Sequence, residues 1–211
     1  MTAIACLLLL AADPALTARV TTDKPPAFTD LLDGRAIRVE SGSDTTMTLW
    51  LRKAIPAAAT AEQIRNGLTY HEVAPGTLVG VIRFATAFID FRKQEIPAGE
   101  YTLRLGFQPA IGDHVGTAPH ADFLMLSPLA DDTTADELEA KALLKLSSKT
   151  TGGDHPAVML LYPQSAKVAA PKIESKPGNV SVLVFGRKVE SSEGDTTLGF
   201  ALAVRGWSKT R

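Results

Sequence analysis

Thiols are almost missing from this chain: Cys6 is the sole cysteine in 211 residues, and it lies within the N-terminal apolar run. Once that run is removed, disulfides, a cysteine nucleophile and a thiolate metal site are excluded together. Charge of one sign is also lacking, with 22 Lys and Arg against 23 Asp and Glu and a formal net charge of -1. No basic stripe offers itself to a row of phosphates, which argues against nucleic acid as a partner. The apolar run from Ala3 to Ala12 falls short of the roughly 20 residues that a bilayer-spanning helix needs, so no transmembrane segment is expected. There is no Gly-x-Ser-x-Gly elbow, no glycine-rich phosphate loop after a strand and no His-Glu-x-x-His. With no complete catalytic motif, no catalytic residue is assigned.

What the chain does have begins with that leader. Ala3 to Ala12 fits the apolar region of a secretory signal peptide, although no Lys or Arg precedes it. Residues 1–18 are read as signal peptide, 19–28 as a proline-containing linker and 29–211 as a single β-rich domain, secreted or periplasmic. Cys6 comes before the leucines rather than after them, which disfavours a lipoprotein anchor.

The body of the chain is dominated by short alternating runs. Ala36–Glu40 and Thr46–Arg52 read as a hairpin around Ser41-Gly42-Ser43-Asp44, with Met47, Leu49 and Leu51 inward and Trp50 on the other face under a loop. Leu68–Val73 and Ala87–Arg92 are further strand candidates, and Leu78–Phe84, apolar at nearly every position, should be covered on both faces. After the turn at Ile96-Pro97-Ala98-Gly99, Tyr101, Leu103, Leu105 and Phe107 alternate with Glu100, Thr102, Arg104 and Gln108, the pattern of a half-buried strand. Asp122–Leu126, Ala157–Tyr162, Val180–Arg187 and Leu198–Trp207 complete the set, the last pair as a hairpin with Leu198, Phe200, Leu202 and Val204 inward.

Two capping-box spacings announce short helices. Thr60-Ala61-Glu62-Gln63 predicts one ending near Asn66-Gly67, and Thr134-Ala135-Asp136-Glu137 predicts one carrying Ala135, Leu138, Ala142 and Leu146. Many strands and one or two short helices imply an antiparallel β-sandwich, with a closed β-barrel as the alternative.

The run IPAGEYTLRL, followed by a polar loop and a short apolar strand, resembles a segment recurring in secreted bacterial β-sandwich domains of uncharacterised function. That resemblance implies the fold and the compartment and carries over no catalytic residue.

Three functional readings follow. The first is a non-catalytic binding or interaction module that displays loops toward a cell-envelope protein or a glycan. In its glycan form, Trp50, Trp207, Tyr70 or Tyr162 would have to cluster as a stacking platform. The second is a metal site for Zn or Cu. Gly112-Asp113-His114 and Gly153-Asp154-His155 repeat one tripeptide, and His120 precedes Asp122 by two residues, so His114, His120, Asp122 and His155 form a candidate ligand set. Gly-Asp-His is also ordinary turn chemistry, and that reading stands beside the metal one. The third is a glycosidase using two of Asp90, Glu100, Asp113 and Asp122, whose carboxylates would have to lie about 5 Å or about 6.5 to 9.5 Å apart.

Overall fold

In a computed structural model, which describes residues 14–109, 118–164 and 168–206, the alternating runs become strands of two packed sheets. In chain order the strands are β1 (Leu16–Thr22), β2 (Leu32–Ser41), β3 (Asp44–Arg52), β4 (Ala54–Pro56), β5 (Leu78–Phe84), β6 (Phe88–Ile89), β7 (Glu95–Ile96), β8 (Gly99–Phe107), β9 (Asp122–Pro128), β10 (Ala157–Leu160), β11 (Lys172–Lys176), β12 (Val180–Ser191) and β13 (Gly194–Arg205). The helices are α1 (Ala61–Asn66) and α2 (Ala140–Ser148), and neither is long and apolar enough to cross a membrane.

The first sheet runs β1-β2-β3-β5-β8-β9-β10 with every neighbour antiparallel. The second is built on the long β12/β13 hairpin, with β11 antiparallel along the first part of the free edge of β12 and β4 parallel along the last part. The inward residues of the two sheets meet in one core: Met47, Leu49, Leu51, Ile82, Leu103 and Leu124 from the first, Leu183, Phe185, Leu198, Phe200 and Leu202 from the second. This is an antiparallel β-sandwich and not a closed barrel, because the seven-stranded sheet keeps β1 and β10 as its outer strands. One corner is stitched: past β10, Leu161 bridges to Leu202 while its amide donates to Asp122 O at 2.9 Å.

Local chemistry explains the boundaries. Gly42, at φ +62°, takes the left-handed position of the tight β2/β3 turn. Thr60 and Gln63 exchange both capping-box hydrogen bonds at the start of α1. Gly80 in β5 lies so close to the Trp50 carbonyl that a side chain there would collide with it. Trp50 is completely buried with Leu32, Ala36 and Val81, and its Nε1–H donates to Asp23 O at 2.9 Å.

Several expectations are corrected. Of the stretch expected as linker, Arg19, Val20, Thr21 and Thr22 are strand and pair with β2. Leu68–Val73 is no strand. Thr69 and Glu72 cap each other and wind Tyr70–Glu72 into one 3-10 turn. Of Ala87–Arg92 only Phe88–Ile89 is strand, since the Asp90 carboxylate gathers the amides of Arg92 and Gln94 and curls the chain.

The second helix starts at Ala140 rather than Ala135, and its buried residues are Leu143 and Ser147, with Ala142 exposed. The cause lies in β8. Arg104, expected on a solvent face, is fully buried and takes the carbonyls of Thr134 and Asp136, which a helix would have used internally. Residues 129–139 therefore cross the outer face of the first sheet as an irregular strap, and β8 is covered on both faces instead of one.

Candidate functional site

Asp122 opens β9 in register with Phe107, the last residue of β8, and its carbonyl receives the Leu161 amide at the stitched corner. Backbone pairing on both sides thus fixes this carboxylate at one end of the sandwich. Its Oδ1 is buried without a hydrogen-bond partner, and His71 Nε2 lies 3.5 Å away, too far for a good hydrogen bond.

His71 is placed by the residue before it. The Tyr70 ring is buried against Phe200, and its hydroxyl donates to Tyr162 O at 2.8 Å while accepting from the Ala201 amide at 3.2 Å. That double anchor fastens the 3-10 turn to the corner, so the next side chain must leave the core. The His71 ring is accordingly 64% exposed and stacks on Phe107 with centroids 4.7 Å apart and planes 15° apart. His120 also lies near enough to Asp122 to feel its charge, and its ring meets the Tyr162 ring edge-on at 4.3 Å and 61°. Phe107, His71, Asp122, His120 and Tyr162 therefore form one patch drawn from the ends of β8 and β9, the 3-10 turn and the segment after β10.

Electrostatics divides the roles. Burial pushes the His120 imidazolium toward neutrality more strongly than the attraction of Asp122 opposes it, so its pKa is lowered. Burial also raises the phenols of Tyr70 and Tyr162, keeping both as hydroxyls. The patch thus combines a mostly buried carboxylate with an unsatisfied oxygen, a neutral imidazole that can donate and accept, and ring surfaces beside them. That inventory suits recognition of a hydroxyl-bearing ligand.

The sequence-derived candidates separate. His120 and Asp122 come together, joined by His71. His114 and Asp113 lie outside the described residues. His155 sits toward the far end of the β9/β10 ladder, because β10 begins opposite Leu126 and runs back toward Phe123. Among the described residues no three His, Asp or Glu side chains are grouped so as to hold a metal ion. Glu100 pairs with Arg83 at the opposite end of β8 from Asp122, and Asp90 is engaged by Gln94. Of the aromatics, Trp50 is buried elsewhere, Tyr70 is buried beneath the patch, Tyr162 takes part in it and Trp207 lies outside the described residues.

Nothing in the local sequence pattern marks Phe107 as more than a strand residue, and His71 carries only a weak signal. The signal for His71 was present in Thr69-Tyr70-His71-Glu72, a capping spacing inside a stretch that reads as strand by its apolar residues. A scan against protein-family models, a search of curated proteins and a search of solved structures each find no match to this chain.

Proposed function

We propose that the protein is a non-catalytic binding module, secreted or periplasmic, that presents the Asp122 patch to a glycan. The observation behind this reading is the buried, unpartnered Oδ1 of Asp122 flanked by the stacked His71/Phe107 pair and the His120/Tyr162 pair. A buried acceptor without a donor is costly, and a sugar hydroxyl would satisfy it while the rings cover the sugar's apolar face. The patch lies on segments held by a rigid sandwich, which is where binding residues concentrate.

The test is a glycan array followed by calorimetric titration of the best oligosaccharide. Asp122→Asn and His71→Ala are each expected to weaken binding about tenfold or more, given roughly 1.5 to 3 kcal/mol for a hydrogen bond to a charged group. Oligosaccharide affinity unchanged in both variants would sink the assignment. A zinc or copper titration separates the competing metal reading around His114, His120 and Asp122: metal heat that disappears in His120→Gln, with no glycan bound, would replace the glycan by the ion.

A further inference from the structure

A second site lies at the other end of the seven-stranded sheet. β8 runs from Gly99, opposite Phe84, to Phe107, opposite Asp122, so the Phe84 end is the one away from the patch. There the two sheets part around a cavity of about 420 Å³. Its floor is Met47, Phe84 and Val204, all members of the main core, so the space opens directly between the layers. Phe88, from the short β6/β7 hairpin, stacks on Phe84 at 5.0 Å and 7° and forms one lip; its neighbour Ile89, also on the lining, is 43% exposed.

One charge stands at this opening. Arg205, at the end of β13, gives its guanidinium hydrogen bonds to neutral acceptors, Pro14 O at 2.7 Å and Ser41 Oγ at 2.9 Å. Among the described residues the lining contains no Asp or Glu, and no ion pair involves Arg205. A hollow of ligand size whose lining mixes apolar side chains with Thr46, Thr86 and Asn179, and which carries a guanidinium on its rim, suits a ligand that joins an anionic head to a short apolar part.

The geometry points to a binding site for a small amphipathic carboxylate, its hydrocarbon part on the lip formed by Phe88 and Ile89, above the buried Met47, Phe84 and Val204, and its carboxylate on Arg205. The site shares no residue with the Asp122 patch and stands whether or not that patch binds a glycan. The carboxylate replaces water on the guanidinium, and the chain removes apolar wall from solvent.

Decanoate, decanol and decylamine, each below its aggregation threshold, are the probes for calorimetric titration of the whole protein. Decanoate is expected to bind with 1:1 stoichiometry, decanol about tenfold more weakly and decylamine more weakly still, on the scale of one lost charge-assisted contact. Arg205→Gln should lower decanoate affinity by about the same factor and leave decanol unchanged, while Arg205→Lys should retain most of it. Thermal melts of both variants confirm that the fold survives. His71→Ala and Asp122→Asn should leave decanoate binding intact, so failure here and failure of the glycan reading are told apart. No decanoate binding to the folded wild-type protein, or equal affinity in wild type and Arg205→Gln, would overturn the assignment.

Discussion

Arg104 and Asp132 form a bidentate ion pair whose side chains are both closed off from solvent: Nε donates to Oδ2 at 2.7 Å and Nη2 to Oδ1 at 2.9 Å. The rest of the guanidinium is engaged by the carbonyls of Gly76, Asp136 and Thr134, so all five N–H groups have acceptors, and Thr102 adds its hydroxyl to the same carboxylate. A charge pair taken this far from water is sustained only by such complete satisfaction. It is also what holds residues 129–139 across the sheet.

Removing one partner therefore strands a buried charge. Asp132→Ala should cost about 3 to 5 kcal/mol in urea denaturation, whereas Arg104→Met combined with Asp132→Leu should cost markedly less. A double variant as unstable as the single one would show that the strap depends on these polar bonds beyond their charge balance.

His120 makes stability depend on pH. Its folded pKa is lowered, so on acidification the unfolded chain takes up the proton first, near pH 6.5, and the folded protein resists. Stability contributed by the neutral ring is full above that pH and declines as pH falls from about 6.5 through the folded pKa. Urea midpoints between pH 7.5 and 5.5 should show this slope in the wild type and a shallower one in His120→Gln.

Asp90 acts with the opposite sign. Burial raises its folded pKa despite hydrogen bonds from Gln94 and Arg92, so the folded state holds its proton more tightly than the unfolded chain. Its contribution is most favourable below the unfolded value near 4 and is lost as pH rises through the folded pKa. Asp90→Asn should remove that slope from the stability profile measured across the acidic range.

Gly80 permits the close approach of β5 to β3. A methyl group there would run into the Trp50 carbonyl and press on Leu51, so Gly80→Ala should destabilise by about 1 to 3 kcal/mol. Trp50 emission should shift to longer wavelength if the strands separate, a change read directly in a Trp207→Phe background.

How much of this was legible depended on period. The inward sets Met47/Leu49/Leu51 and Leu198/Phe200/Leu202/Val204 repeat every second residue, and the structure buries all of them in one core. The strap was not legible, because the carbonyls that stop Ala135 from starting a helix are claimed by Arg104, about thirty residues away, and local spacing carries no sign of that partner. Three of the five patch residues were visible in the sequence: His120, Asp122 and Tyr162. His71 joins them only because Tyr70 reaches Tyr162 and Ala201, contacts separated by 92 and 131 residues.

The parallel pairing of β4 with β12 also bears on the order of events during synthesis. Arg187 donates to the Arg52 carbonyl across 135 residues, and Ala54–Pro56 lines up beside Lys188–Glu190 only once β12 has been made. Until the final hairpin leaves the ribosome, the inner face of the first sheet has no opposing layer. Closure of the sandwich thus waits for the β12/β13 hairpin and is slow for a domain of this size, as expected where distant pairings dominate.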